Sequence, residues 1–442
     1  MRKRSADRAV VLILVSLLAL LPVLSAKPTK AVLNVTLTWD VVADGMLDNA
    51  TMEVSVPSDS ANQKVLSQDL SDLYVVVPDT GESRMRFSFN GARTKRVTGS
   101  FIIQTDYVDR YSVSEPVPGN ELTGNTPTVI ITPEIQTFSD GAFGDLSFPQ
   151  DVVSQLNWTF SSIKYNESYT DVTVNDIVGV TETSDWVFKN RVGVCDELSN
   201  MFAALTRADG RPTRMITGYA YVDGKWTPHA WTEIYYSKYG WMEADPTYNQ
   251  FLNLNAMRVR IGTAADIEDL ADVINATSKD AKSISLESSA DISVISYSEY
   301  DAVRINVVFL PQPPLAGTQP VVLEVTNTAD APVFTNFVFV PPLTVECRDC
   351  QGGMMLDPNQ TKEVDLTLSL PQLEPNVKYT FPSTVMTDYG RTDVSFERML
   401  SVLPPEEKYL SASDLPVSFK LFIGLFLIGA VALVAAAILL GW

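Results

Sequence analysis

The sequence predicts a multidomain protein in which a mixed α+β core lies between two all-β sandwich domains, with a signal segment before them and a membrane helix after them. Three observations predict this arrangement. Apolar and polar residues alternate in short runs on both sides of a central segment that has helical spacing, and both termini hold long apolar stretches. A length of 442 residues is enough for two or three domains.

The N-terminus has the pattern of a secretory signal peptide over residues 1–26. Basic residues precede an apolar segment that ends in small residues, with a plausible cleavage point after Ala26. The alternative is an uncleaved anchor, because the 18 residues 9–26 nearly span a bilayer. In either case the basic residues Arg2, Lys3, Arg4 and Arg8 favour an N-terminus in the cytoplasm and a chain body outside it.

The C-terminus has the pattern of a membrane anchor, predicted over residues 417–442 and preceded by a polar, Pro-flanked stalk at 405–416. Residues 421–441 contain no charged side chain and would form a helix of about 32 Å, close to one hydrocarbon core. We therefore expect a single-pass protein of the cell membrane, with the bulk of the chain extracytoplasmic.

The charge and the glycosylation sequons agree with this location without adding specificity. A net charge of −20 argues against nucleic acid as a partner. Six N-x-S/T sequons mildly suggest a glycosylated surface protein. They begin at Asn34, Asn49, Asn157, Asn166, Asn275 and Asn359.

The N-terminal β-rich segment, residues 27–130, is predicted to be a β-sandwich. Gly, Pro, Asn and Asp separate short runs that alternate apolar and polar residues, which is typical of such domains. The runs are Leu33, Val35, Leu37, Trp39 and Val41, then Met52, Val54 and Val56, then Met85, Phe87 and Phe89.

The C-terminal β-rich segment, residues 284–404, resembles an immunoglobulin-like sandwich. The run "VVLEVTNTADAPVFTNFVFVPP" places an Asn/Asp-containing turn between two strands. This resemblance concerns the fold and implies no activity.

Three cysteines occur, and two of them stand in "CRDC". Outside the cell, Cys347 and Cys350 most simply form a disulfide with each other, which pins a turn. A thioredoxin-like redox motif is less favoured because no βαβ pattern surrounds the pair. Cys195 is left as the odd thiol.

The central segment, residues 131–283, is predicted to be an α+β domain, and Cys195 stands where one of its helices begins. Leu198, Phe202 and Leu205 would share the inward face of that helix with Cys195, and Gly210 would end it. Inward-facing cysteines are commonly core residues. A nucleophilic role requires a partner that helps to form the thiolate.

The partner must be His229, because the chain has one histidine in all. A hairpin signal at Asp223-Gly224 precedes its strand, and the following strand ends at Asp245-Pro246. Pairing of these strands brings Asp245 within a few positions of His229, where a carboxylate can orient the imidazole. The sequence therefore predicts a Cys195–His229–Asp245 triad.

These residues resemble the transglutaminase-like superfamily. The resemblance covers roughly residues 131–260 and rests on "RVGVC", "RADGRPTRMITGY", "HAW" and "GWMEADPT" in that order. It implies a papain-like α+β core in which Cys195 is the nucleophile, His229 the base and Asp245 its orienter. It implies nothing about the two β-rich segments or the anchor.

Two features depart from the family pattern. Asp196 and Glu197 stand where the family often has an aromatic or amide residue. The upstream side chain of an oxyanion hole is also unassigned, and the candidates are Trp158, Tyr165 and Tyr169, each of which could instead be a packing residue.

Other charged side chains near the motifs have two interpretations each. Arg211 and Arg214 could offset the acids at the site or complement a helix end. Glu233 and Glu243 could contact substrate or lie on a solvated face.

The chain contains no sequence motif typical of other catalytic or ligand-binding sites. There is no G-x-S-x-G elbow, no Walker A loop and no EF-hand loop, and one histidine excludes a multi-histidine zinc site. We expect no metal and no cofactor. The predicted activity is acyl transfer from a peptide or glutamine-side-chain amide through a thioester, with hydrolysis ahead of transamidation. The alternative is a non-catalytic surface adhesin or scaffold with a structural transglutaminase-like domain.

Overall fold

The computed structural model describes residues 28–77, 84–107, 118–166, 181–252, 254–312, 317–348 and 350–399. The predicted signal segment, stalk and membrane anchor lie outside the described residues. Within the described ranges, no helix combines the length and the apolar character needed to cross a bilayer.

The elements follow one another in the order β-rich, mixed, β-rich. The first are β1 (Pro28–Ser55), β2 (Gln63–Leu70), β3 (Tyr74–Val76), β4 (Arg84–Phe89) and β5 (Ala92–Asp106). The middle part has α1 (Pro133–Phe143), α2 (Gln150–Ser162), β6 (Lys164–Tyr165), α3 (Ser184–Asn190), β7 (Val192–Gly193), α4 (Cys195–Ala208), β8 (Thr213–Val222), β9 (Lys225–Tyr236), β10 (Gly240–Asp245), β11 (Gln250–Phe251) and β12 (Arg258–Ala264). The last are β13 (Val273–Ser278), β14 (Ile284–Glu299), β15 (Val303–Phe309), β16 (Thr318–Asn327), β17 (Val333–Val340), β18 (Glu346–Arg348), β19 (Gln351–Leu356), β20 (Thr361–Ser369), β21 (Lys378–Thr387) and β22 (Gly390–Met399).

The N-terminal unit is one seven-stranded antiparallel sheet built on β1. Its strand order is β2-β5-β1-β4-β3, and β13 and β14 also pair with β1. The alternation predicted for β1 is present, since the face that carries Leu33, Val35 and Leu37 is buried. A strand of 28 residues is long enough to take different neighbours along its two halves.

This unit differs from the predicted two-sheet sandwich. The buried face of the sheet packs on the central domain, in a cluster that includes Ile216, Trp231 and Val259. Alternating residues show that one face of a strand is buried, but they do not show what covers it.

The predicted boundary between residues 283 and 284 also differs from the structure. β14 pairs with β1 from Pro28↔Glu299 to Ala43↔Ile284, so the start of the C-terminal segment belongs to the N-terminal sheet. β13 pairs with the other half of β1. The N-terminal sheet is thus completed by strands that follow the central domain in sequence.

The central domain packs helices against a five-stranded antiparallel sheet of order β11-β10-β9-β8-β12. α4 is its central helix, and Leu198, Phe202 and Leu205 on its inward face are buried, as the spacing predicts. Gly210 has φ +73° just after the helix, a left-handed conformation that favours glycine. The helix therefore begins at Cys195 and ends where the sequence predicts it to end.

The C-terminal unit is a sandwich of two four-stranded sheets, β15-β16-β20-β18 and β19-β17-β21-β22. Apolar residues of both sheets, such as Leu323 and Phe339, form one core. Cys347 and Cys350 are joined in a disulfide with their Cα atoms 5.8 Å apart. The unit contacts the central domain through Phe334 and through an ion pair between Lys238 and Asp357.

Candidate active site

The first turn of α4 places Cys195 at the N-terminal end of the central helix. Strand β7 leads into it, and the Glu197 carboxylate accepts the backbone N–H of Val194 at 2.9 Å. The same carboxylate accepts the backbone N–H of Glu182 at 3.0 Å. Glu197 therefore caps the helix and fixes the loop before it, and its charge is directed to these N–H groups.

Strands β9 and β10 bring His229 and Asp245 together. Their pairing places Ala244 opposite Thr232. The His229 Nε2 and Asp245 Oδ2 atoms lie 2.8 Å apart, and both side chains are buried. The two-residue turn at Asp223-Gly224 connects β8 to β9, since Val222 pairs with Lys225. The predicted pair of imidazole and carboxylate is therefore present.

Two further groups hold the Asp245 carboxylate. The Arg258 Nη2 atom lies 2.7 Å from Oδ2, and the backbone N–H of Thr247 donates to Oδ1 at 3.0 Å. Burial acts to raise the pKa of Asp245. The charges of His229 and Arg258 and their hydrogen bonds outweigh burial and lower this pKa to about 2. Asp245 is therefore ionised at neutral pH and accepts a hydrogen bond from the protonated Nε2 atom of His229.

The hydrogen bond at Nε2 settles which ring nitrogen is left for the thiol. With Nε2–H donating to Asp245, the neutral ring has its lone pair on Nδ1. The ring also packs on Trp231 and Tyr248, at centroid distances of 5.9 and 5.3 Å. These contacts and the carboxylate together restrict the ring to one orientation.

The Cys195 thiol lies beside the strand that carries His229. The backbone N–H of Ala230, the next residue, acts on the sulfur and lowers the pKa of the thiol. The thiol in turn donates to the Asp196 Oδ1 atom at 3.5 Å. Burial and the Asp196 charge raise the pKa of Cys195 well above its usual value, and the Ala230 N–H only partly opposes them.

The resting thiol is therefore neutral, and the Asp196 charge contributes to this state. Glu197, the other acid that departs from the family pattern, caps the helix instead. A neutral thiol must lose its proton during the attack, which makes the base beside it more important.

We predict that alkylation of Cys195 by iodoacetamide is slow at neutral pH and accelerates as the pH rises above 9. The thiolate is the reactive species, and burial together with Asp196 holds the pKa above the usual 9.0 of a thiol. Asp196→Asn removes one of the charges that raise this pKa, so the midpoint of the rate profile moves to lower pH. The measurement is the labelling rate of the Cys195 peptide by mass spectrometry across pH.

Asp185→Asn is the matched control, because Asp185 is the second residue of α3 as Asp196 is of α4. It should leave the profile unchanged. A profile that is the same with and without the Asp196 carboxylate would show that this acid does not govern the thiol.

Glu233 and Glu243 belong to an internal polar network, which neither sequence interpretation predicts. Glu233 is paired with Arg214 and Arg260, and Glu243 accepts the Tyr107 hydroxyl at 2.8 Å. Both carboxyls are buried, at 1 and 3% exposure. They connect the central sheet to the N-terminal unit.

The remaining candidate residues from the sequence have the following places in the structure. Arg211 pairs with Asp151, and Trp158 packs on Phe138 and Phe188. Tyr165 pairs with Gly193, two residues before Cys195. Tyr169 lies outside the described residues.

Sequence reasoning missed Arg258 and Tyr248, which surround the His229–Asp245 pair. Tyr248 follows Asp245 by three positions and could have been found from that proximity. Arg258 lies on β12, which pairs with β8 at the far side of the sheet, so its contact with Asp245 has no local sequence signal.

Comparison with known proteins identifies the domain that contains these residues. A family model described as the transglutaminase-like superfamily matches residues 143–246, a range that contains Cys195, His229 and Asp245. Residues 143–246 form a transglutaminase-like domain. The match leaves the whole N-terminal sheet and the whole C-terminal sandwich outside it.

Among curated proteins, the chain is similar to the protein-glutamine gamma-glutamyltransferase of Pseudomonas aeruginosa, with 28% identity over 136 residues. The match covers 28% of this chain and 20% of that protein, so the chain spans about a fifth of the length of this relative.

Two solved structures are similar to parts of the chain. A candidate cysteine protease from Cytophaga hutchinsonii matches with TM-score 0.47 and 17% identity, covering 61% of this chain and 92% of the other. The red sea bream transglutaminase matches with TM-score 0.22 and 10% identity, covering 85% of this chain and 81% of the other.

The family match therefore characterises the central domain alone. Among the described residues, no group of three or more His, Cys, Asp or Glu side chains is placed to hold a metal ion.

Proposed function

We propose that the protein is an extracytoplasmic, tail-anchored enzyme that attacks peptide or glutamine-side-chain amides through Cys195, His229 and Asp245. The substrate is a protein or peptide, and the intermediate is a thioester. The transglutaminase-like domain and its position between two β-rich units support this proposal.

The observation that carries the proposal is the buried hydrogen bond of 2.8 Å between His229 and Asp245. It lies next to Ala230, whose backbone acts on the Cys195 thiol. The chain has one histidine, and its ring is held by a carboxylate whose own charge is held by Arg258. A purely structural histidine does not require a neighbouring thiol at a helix N-terminus.

In the first step, the Cys195 sulfur attacks the carbonyl carbon while His229 Nδ1 takes the thiol proton. An S–C bond forms and the carbonyl oxygen gains the negative charge. The backbone N–H of Cys195 is in the first turn of α4, where N–H groups have no intrahelical acceptor, and it can donate to that oxygen. Asp245 stabilises the imidazolium that results.

In the second step, the C–N bond breaks and His229 returns its proton to the leaving amine, which leaves an acyl thioester on Cys195. An acceptor then attacks the thioester and loses a proton to His229, and cleavage of the C–S bond restores the thiol. Water as acceptor gives hydrolysis, and an amine gives transamidation. We place hydrolysis first, because water is the default acceptor at a site open to it.

The location is proposed from the sequence alone. The signal-like segment 1–26, the stalk and the apolar segment 421–441 support an anchored protein with its bulk outside the cell. The second candidate function is a non-catalytic adhesin or scaffold, which is favoured by the two β-rich units that flank the central domain.

The proposal is tested by incubating the full-length protein with denatured casein, with and without a fluorescent primary amine. New α-amino groups indicate hydrolysis, and covalent incorporation of the amine indicates transamidation. Both must be lost in Cys195→Ala. A wild type that produces neither over a range of protein substrates would support the scaffold.

A further inference from the structure

A cavity of about 570 Å³ lies between the N-terminal sheet and the transglutaminase-like domain. Leu37 and Trp39 of β1 and Ser288 of β14 line one side of it. Gly218 of β8 and Pro228 of β9 line the other. The cavity therefore exists because two units meet, and neither unit forms it alone.

The cavity borders residues that adjoin the proposed catalytic pair. Asp196, which lines it, is the residue whose carboxylate accepts the thiol of Cys195. Pro228 directly precedes His229, and Gly218 is the partner of His229 across the β8–β9 pair. Neither Cys195 nor His229 lines the cavity itself, so a ligand there would lie beside the residues that adjoin them.

The lining combines apolar walls with negative charge. Trp39, Tyr219 and Ile261 contribute apolar surface. Asp196, Glu268 and Asp272 contribute carboxyl groups, and the described residues that line the cavity include no Lys, Arg or His. This combination suits a ligand with an apolar stem and a positively charged end.

Two residues that line the cavity present oxygen atoms that can accept a hydrogen bond from a ligand. The Ser55 hydroxyl is buried, with the residue 4% exposed, and has no hydrogen-bond partner among the described residues. The Asp272 carboxylate is fixed by the Trp39 Nε1–H at 3.1 Å, by the backbone N–H of Ser55 and by the Ser288 hydroxyl. A buried hydroxyl without a partner is costly, and an N–H donor from a ligand would satisfy it.

We propose that this cavity is a specificity pocket for a long side chain that ends in an ammonium or guanidinium group, carried by the peptide whose amide Cys195 attacks. This inference rests on the proposed function and names a substrate class for it. A cavity of this size holds a drug-sized ligand, so it has room for a side chain and adjoining peptide rather than a small amine alone.

A cation in the pocket would also act on the thiol. Burial raises the pKa of Asp196 and of Asp272, so each carboxylate is stabilised by a positive charge brought next to it. At Asp196, such a charge offsets the negative charge that keeps Cys195 protonated. Binding of the preferred side chain and activation of the nucleophile would then be coupled.

The test compares two alkylating reagents that have the same length, N-(5-ammoniopentyl)iodoacetamide and N-hexyliodoacetamide. The full-length protein is treated with each at mildly alkaline pH, and the labelling rate of Cys195 is divided by the rate for glutathione. We expect the cationic reagent to be favoured about ten-fold, the effect of one partly desolvated charge pair. Asp272→Asn and Glu268→Gln should each reduce this preference.

Asp291→Asn is the matched control, because Asp291 is an exposed acid on β14 that does not line the cavity. Equal normalised rates, or a preference that survives Asp272→Asn, would overturn the pocket alone. If neither reagent labels Cys195 in the folded protein, the proposed function is overturned as well.

Discussion

Replacing His229 by alanine is expected to slow acylation of Cys195 by about 10²- to 10⁴-fold, the usual contribution of a positioned general base. The thiol is neutral at rest, because burial and Asp196 raise its pKa. No other imidazole exists in the chain to accept its proton. The measurement is the pre-steady-state release of nitrophenolate from p-nitrophenyl acetate, which does not require the natural substrate.

Two further variants serve as controls for this experiment. Cys195→Ala sets the background from other nucleophiles. Lys225→Ala changes an exposed residue at the start of the same strand as His229 and should leave the rate unchanged. If His229→Ala acylates within a few-fold of the wild type, the ring does not act as the base.

Replacing Asp245 by asparagine is expected to lower the free energy of unfolding by about 3–5 kcal/mol, the usual result of breaking one side of a buried ion pair. Arg258 is 4% exposed and would keep its charge without the carboxylate that compensates it. His229 would also lose the acceptor that fixes its Nε2–H, so acylation should fall together with stability. Chemical unfolding gives the first quantity and nitrophenolate release the second.

The double variant Asp245→Asn, Arg258→Met separates the two effects. It removes the unpaired charge, so part of the lost stability should return while acylation stays low. If the single and double variants are equally stable, the charge of Arg258 is not what Asp245 compensates.

The contribution of the Asp245 carboxylate to stability decreases as the pH falls. The pKa of Asp245 is lowered to about 2 in the folded protein, below the ordinary value near 3.9 in an unfolded chain. Its contribution to stability is therefore complete above the unfolded value and is lost as the pH falls from about 4 toward 2. Asp245→Asn should lack this component of acid unfolding.

The features that the sequence could predict are those set by neighbours along the chain. The start of α4 at Cys195 follows from the apolar spacing of Leu198, Phe202 and Leu205, and its end follows from Gly210. The hairpin at Asp223-Gly224 fixes the register of β8 and β9. Together with the strand that ends at Asp245, these local signals are enough to bring His229 and Asp245 together.

The features that the sequence could not predict depend on contacts between distant segments. The sequence predicts β-structure from residue 284 onward, but not that the partner of β14 is β1, more than 240 positions earlier for every pair of residues. Glu233 and Glu243 alternate with aromatic residues in the same way whether their face is solvated or covered. Their burial is decided by Tyr107 and the N-terminal sheet.

The cavity beside Asp196 also depends on contacts between distant segments. Trp39 and Ser288 line it from one unit and Gly218 from another, so no single stretch of sequence contains its pattern. Arg258 is likewise placed by the pairing of β12 with β8, and its contact with Asp245 crosses the sheet from there.

The central claim is that Cys195 accepts an acyl group with the help of His229. The most direct measurement is to quench the reaction with p-nitrophenyl acetate in acid, digest the protein and locate the acyl group by mass spectrometry. We expect a hydroxylamine-labile acyl group on the Cys195 peptide of the wild type and very little on that peptide in His229→Ala. Acylation confined to other residues, or equal acylation of Cys195 with and without the imidazole, would contradict the claim.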